Sequence, residues 1–151
     1  MRIAVDDLSG PQIAAFLEEH VRQMRSISPP ESVHALDPEA LRAPGITFWS
    51  VRDEGVLVGC GALKRLDAAH AELKSMRTAE TRRGSGIASL LLTHIIAEAR
   101  GAGLVRLSLE TGAEDFFRPA RRLYEKFGFE RCAPFADYRP DPLSVFMTKA
   151  L

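Results

Sequence analysis

The chain has 151 residues, 46% of them hydrophobic and 26% charged, which is the size of one domain with a real core and the composition of a globular chain, not a disordered one. Twenty Lys and Arg balance twenty Asp and Glu, so neither nucleic acid nor an anionic membrane surface is favoured as the main partner. Cys60 and Cys132, the two cysteines, sit in apolar, strand-like stretches and read as reduced, buried thiols; without a CxxC or a Cys/His pairing, no metal is expected.

Residues 2–5 read as a first strand. Pro11 suits the first turn of a helix, and Ile13, Ala14, Phe16, Leu17, Val21 and Met24 recur at helical spacing to about residue 25. Ser26 to Pro30 breaks this helix, and residues 31–36 follow as a loop. Asp37-Pro38-Glu39-Ala40-Leu41 then reads as an N-cap, a proline at the first helical position and one short turn. Ile46 to Arg52, Val56 to Leu66 and Ala71 to Thr78 form a meander of three strands, turning at Asp53-Glu54-Gly55 and Asp67-Ala68-Ala69-His70. Val56, Val58, Cys60 and Ala62 alternate along the second of them. Phe48 and Trp49 read as core.

From Gly86 to Arg100 the residues Ala88, Leu91, Leu92, Ile95, Ile96 and Ala99 trace one helical stripe, which Gly101 and Gly103 end. A strand over Leu104 to Leu109 puts Val105, Leu107 and Leu109 on one face. A helix over Pro119 to Phe127, a strand from Phe129 to Cys132, a turn region at Asp137 to Pro142 and a strand over Ser144 to Lys149 complete the chain. An antiparallel meander followed by a strand-helix-strand crossover predicts one mixed α/β sheet covered by helices. No stretch is long and apolar enough to span a bilayer, and the first residues lack the apolar run of a secretion signal; the expectation is a cytoplasmic protein.

The sharpest local feature is Glu80-Thr81-Arg82-Arg83-Gly84-Ser85-Gly86-Ile87-Ala88, between a strand and a helix. A helix N-terminus offers unpaired N–H groups and partial positive charge, glycines let an anion approach the backbone, and two arginines add bidentate donors. Pyrophosphate is the ligand this chemistry suits. A P-loop would need Gly-Lys-Ser/Thr, which is absent. The dinucleotide fingerprint has Gly84-x-Gly86 and even Glu110 at the end of the next strand. Its third glycine position, however, holds Ser89, and too little chain follows for a doubly wound domain. The plain alternative is an ordinary β-to-α turn with solvated arginines.

Arg83-x-x-Gly86-x-Ala88 resembles the R/Q-x-x-G-x-G/A signature of the GNAT superfamily of N-acetyltransferases. Ala120-x-x-Leu123-Tyr124-Glu125-Lys126-Phe127-Gly128-Phe129 is similar to the second motif of that superfamily. The resemblance covers nearly the whole chain. It implies a single GNAT acetyltransferase domain over residues 1–151, an acyl-CoA N-acyltransferase fold with a mostly antiparallel sheet flanked by helices, and acetyl-CoA as cosubstrate. The activity it implies is acetyl transfer to a primary amine, on a small molecule or a peptide, by direct attack. Backbone groups of Met76 and Thr78 would pair with the pantetheine arm. Those of Arg83, Gly84, Ser85, Gly86, Ile87 and Ala88 would cradle the pyrophosphate. Tyr124 would protonate the departing thiolate. Glu72 stands where histone-type members carry a general base. Two departures stand out: Phe117 occupies the position of a frequent Asn, and Thr78 replaces a commoner valine.

Acyl transfer to an amine needs a proton acceptor, a donor for the carbonyl oxygen and a proton for the leaving thiolate. Glu72, the Met76 N–H and Tyr124 can meet these needs without a covalent nucleophile. As a strand residue, Glu72 can instead face solvent, paired with Lys74, and Tyr124 can simply pack. Glu110 and Thr111 either touch the acceptor or merely end a strand. His34 falls in a loop that would overhang the acceptor side. His20, His70 and His94 read as surface residues. A non-catalytic acyl-CoA sensor of the same fold is the alternative function, and the sequence leaves a monomer or a homodimer open.

Overall fold

A computed structural model describes residues 1–29 and 38–151. The loop at 31–36, His34 and the Asp37 cap lie outside the described residues. Seven strands form one sheet, in the order β1-β2-β3-β4-β5-β7-β6. They are β1 (Arg2–Val5), β2 (Ile46–Asp53), β3 (Val56–Arg65), β4 (His70–Thr78), β5 (Arg106–Gly112), β6 (Glu130–Arg131) and β7 (Ser144–Ala150). The helices are α1 (Pro11–Ile27), α2 (Pro38–Leu41), α3 (Ile87–Gly101) and α4 (Arg118–Lys126). Only β4 and β5 run parallel; every other pair is antiparallel. This is the mixed, mostly antiparallel sheet that the order of elements predicts.

Local chemistry explains the joints. Glu54 and Gly55 both take positive φ, +50° and +79°, as a two-residue hairpin turn matched to strand twist requires. Gly86 sits at φ +85° as the N-cap of α3, so that helix starts one residue later than its apolar stripe suggests. Helix α4 begins at Arg118, with Pro119 in its first turn, where the missing N–H costs nothing.

Two apolar layers sandwich the sheet. Leu91, Leu92, Ile95 and Ile96 of α3 pack with Trp49, Val58, Leu73, Leu107 and Met147 on one face. Ile13 and Leu17 of α1 pack with Leu41, Phe48, Cys60 and Ala62 on the other. Strand β3 is covered on both sides, so Leu57 to Leu63 are all buried, where a half-buried strand would alternate. Val105 is exposed and precedes β5, which runs three residues beyond Leu109 and so contains Glu110 and Thr111.

In strand β4, the register passes from Cys60↔Arg77 to Ala62↔Lys74, so β4 carries one extra residue there. Ser75, with φ +56°, lies in that bulge. Bulges bend a strand and increase its twist. Pairing between β4 and β5 covers only His70–Leu73 against Arg106–Leu109. Beyond it the two strands part.

Of the two cysteines only Cys60 is buried; Cys132 is half-exposed, correcting the expectation of two buried thiols. Burial pushes the Cys60 thiol up to about 12, and its Sγ donates to Ser75 O at 3.3 Å. A water-soluble disulfide reagent is therefore expected to label Cys132 in the folded protein and Cys60 only in denaturant. The labelling of Cys132→Ser under native conditions checks this.

Candidate active site

The parting of β4 and β5 opens two cavities that meet. The larger, of ≈ 760 Å³, runs along Met76, Arg77 and Thr78 of β4, the glycine-rich turn and the start of α3, with α1 and α4 as walls. The smaller, of ≈ 110 Å³, lies against Glu72 and Lys74 of β4 and Glu110 and Thr111 of β5. His20, Met24, Met76, Phe117, Ala120 and Tyr124 border both.

The larger cavity is cationic. Arg77, Arg82 and Arg83 line it, and among the described residues no acidic one does. Arg82 is anchored by Asp53 at 2.8 Å, which ties the turn to the β2–β3 hairpin. Arg77 and Arg83 both donate to one neutral acceptor, Oε1 of Gln23 on α1, at 2.9 and 3.2 Å. The Arg77 Nε is buried without a partner, and burial lowers the pKa of this guanidinium. Gly86 brings no side-chain cap to α3, so the first-turn amides of Ile87, Ala88 and Ser89 are donors at the cavity wall. Gly84 also takes positive φ, +77°, and a Cβ there would meet nothing within 4 Å; the turn has open space in front of it. An extended polyanion fits this lining.

Of the residues expected to hold the cofactor, Met76, Thr78, Arg83, Gly84, Gly86, Ile87 and Ala88 line the larger cavity. Ser85 does not; its hydroxyl turns back onto the carbonyl of Arg82. Ala79 N–H donates to Val58 O on β3 at 2.8 Å. Amide direction alternates along a strand, so the Thr78 N–H points the other way, into the opening.

The smaller cavity is dominated by carboxylates. Glu72 is 3% exposed, which corrects the picture of a solvent-facing strand residue. It does pair with Lys74, at 3.1 Å. The Tyr138 hydroxyl donates to the same Oε2 at 2.5 Å, and the Lys74 Nζ donates to the Tyr138 oxygen at 3.0 Å. Burial first, then Glu72, raises the Tyr138 pKa. Glu110 accepts from Ser144 Oγ at 3.1 Å, and desolvation pushes its carboxyl up to about 7, opposed by Ser144 and Lys74. Tyr124 is buried, and burial with a contribution from Glu110 raises its pKa. It is a neutral phenol at the junction.

None of the three histidines read as surface residues is fully exposed. His20 is half-buried and borders both cavities, and burial with Arg77 pulls it down to about 4, leaving a neutral imidazole. His70 is part-buried, its Nε2 2.7 Å from Ser108 Oγ. His94 is half-buried as well, its ring edge-on to Trp49 with centroids 6.1 Å apart and its Nε2 3.8 Å from Glu98 Oε1. No motif signals the contributions of His20, Gln23 and Tyr138; only the approach of α1 and of the loop before β7 brings them to the strands.

The comparisons agree on one family. The profile of the acetyltransferase (GNAT) family matches residues 13–129. The chain belongs to the GNAT family. N-acetyltransferase YsnE of Bacillus subtilis (strain 168), named as uncharacterized, is 56% identical over 100% of both chains. YedL of Escherichia coli (strain K12), also an uncharacterized N-acetyltransferase by name, is 51% identical over 99% of this chain and 94% of its own. An aminoglycoside 6'-N-acetyltransferase complexed with coenzyme A superposes with a TM-score of 0.73 over 99% of this chain and 97% of that one; at 16% identity it shows the shared fold. The protein is an acyl-CoA-dependent acetyltransferase with the GNAT fold. This sets aside the non-catalytic sensor as the reading of the chain.

The raised pKa of Glu110 has a consequence for stability. The ordinary value, 4.5, applies to the unfolded chain, and the folded value is about 7. Between them the folded state holds a proton that the unfolded chain has lost, so stability falls as pH rises through this window. Glu110→Gln removes that loss. The melting temperature of the variant relative to wild type should rise between about pH 4.5 and about pH 8, as parallel thermal melts will read. An unchanged difference would mean that Glu110 titrates normally.

Proposed function

We propose that the protein moves the acetyl group of acetyl-CoA onto a primary amine by direct attack at the junction of the two cavities. One observation carries this reading: a cationic cleft suited to CoA meets a small carboxylate-lined cavity, and a buried tyrosine borders both. The named activity of the aminoglycoside acetyltransferase neighbour, which acts on an amine, supports the acceptor class. The smaller cavity suits an acceptor that presents its amine on a slim arm, whether a small molecule or a peptide.

Acetyl-CoA supplies a thioester with an electrophilic carbonyl carbon. Around it, this chain's groups divide the work. Arg83, Gly84, Gly86, Ile87 and Ala88 hold the pyrophosphate, together with the backbone of Ser85, and the backbone of Met76 and Thr78 holds the pantetheine arm. An amine arrives as an ammonium and must lose a proton to attack. Glu110, with a pKa near 7, is matched to that transfer at neutral pH. Glu72, locked to Lys74 and Tyr138, serves the acceptor better as a fixed negative charge than as the mobile base. The N–H of Met76 faces the building charge on the carbonyl oxygen. As the C–N bond forms and the C–S bond breaks, Tyr124 gives its proton to the thiolate sulfur, and the second proton shed by the new amide nitrogen passes through solvent to restore the phenol. Its raised pKa keeps it protonated until then.

The test is CoA release from acetyl-CoA over a panel of primary amines. Wild type should turn over at least one amine, with a rate that rises through about pH 7. Glu110→Gln should lose that rise and about 10²- to 10⁴-fold in kcat, while Tyr124→Phe slows turnover and still binds CoA. A Glu110→Gln profile identical to wild type would remove Glu110 as the base. Should Glu72→Gln alone abolish the rise, the role would pass to Glu72.

A further inference from the structure

The border between the cavities is built unevenly. Met24 and Met76 are flexible and can yield, and Ala120 is small. Phe117 is a bulky wall held in place, as is Tyr124, which is buried against Phe129. Gly112, at the end of β5, lies so close beneath it that a Cβ there would stand 2.0 Å from ring Cδ2 and 2.4 Å from Cε2. Phe116 packs edge-on against the same ring, with centroids 5.0 Å apart. The segment that carries Phe117 is braced as well. Arg121 Nη1 donates to the carbonyls of Gly112 and Glu114 at 2.6 and 2.9 Å. Ser28 Oγ donates to the Glu114 carboxylate at 2.5 Å.

We propose that Phe117, seated on Gly112, sets the length of acyl chain the enzyme accepts and confines it to short chains such as acetyl. This rests on the reading of the junction as the seat of the thioester. From there a longer chain has to run past Phe117 into a cavity of ≈ 110 Å³ that must also admit the amine. A ring fixed by a glycine beneath it has nowhere to retreat. The glycine is as much a part of the device as the phenylalanine, because any side chain at 112 would drive the ring forward into the junction.

The experiment is calorimetric titration of CoA, acetyl-CoA and butyryl-CoA into wild type, Phe117→Val and Gly112→Ala. Wild type should bind butyryl-CoA about tenfold or more weaker than acetyl-CoA, the scale of discrimination an apolar pocket gives for extra methylenes. Phe117→Val should bring the two within about threefold. Gly112→Ala should weaken acetyl-CoA relative to CoA. Unacylated CoA is the reference within each protein, its binding reports that the protein is folded, and the butyryl-to-acetyl ratio is read against it; Phe117→Leu substitutes for a valine variant that is not folded. Equal binding of acetyl- and butyryl-CoA by wild type, or an unchanged ratio in Phe117→Val, overturns the proposal and leaves acetyl transfer standing. Failure of wild type to bind any of the three ligands overturns the functional reading itself.

Discussion

Strands β4 and β5 share hydrogen bonds only as far as Leu73 and Leu109, and the site depends on their separation beyond that point. Had the parallel pairing continued, Met76 and Thr78 would spend their backbone groups on a neighbouring strand and Glu110 would lie under a closed sheet. The extra residue at Ser75 bends β4 away, while β5 stays paired to β7 through Gly112. One inserted residue thus yields an unpaired strand edge on one side and leaves Glu110 at a cavity wall on the other. The bulge is itself secured, because the carbonyl of Ser75 accepts from the buried Cys60 thiol.

Charge is divided along the same line. Among the described residues, arginines without an acidic neighbour in the lining form one cavity, and Glu72 and Glu110 with Lys74 line the other. In the proposed reaction a polyanionic donor and a cationic acceptor would be drawn to opposite ends of one channel, with Tyr124 between them as a neutral acid. Lys74 offsets only part of the carboxylate charge, since it is already engaged with Glu72. Burial above all, with smaller contributions from Glu72 and Asp141, raises Glu110. In the proposed reaction the features that would attract an ammonium also tune the group that would take its proton.

Much of this architecture was legible in the sequence, because it is written in local patterns. The stripe of α3, the Glu54-Gly55 turn and the run Arg83 to Ala88 each depend on residues near one another in the chain. What escaped depends on contacts between distant segments. Alternation placed Glu72 on one face of β4, but no local signal told that Tyr138, sixty-six residues later, would cover it. His20 looked like a polar position on an amphipathic helix; the charge and bulk of Arg77 beside it come from the sheet. Phe117 stood out as a departure from the family pattern, yet its meaning lies in the missing Cβ of Gly112, which only the fold brings under the ring.

The central claim is that the open edge of β4 receives the pantetheine arm of acetyl-CoA. Backbone hydrogen exchange of Met76 and Thr78, with and without saturating acetyl-CoA, tests it directly. The account predicts that these amides and those of Ile87 and Ala88 slow markedly when acetyl-CoA binds, while Arg77, already facing β3, changes little. Binding that protects the start of α3 but leaves Met76 and Thr78 exchanging as before would contradict it.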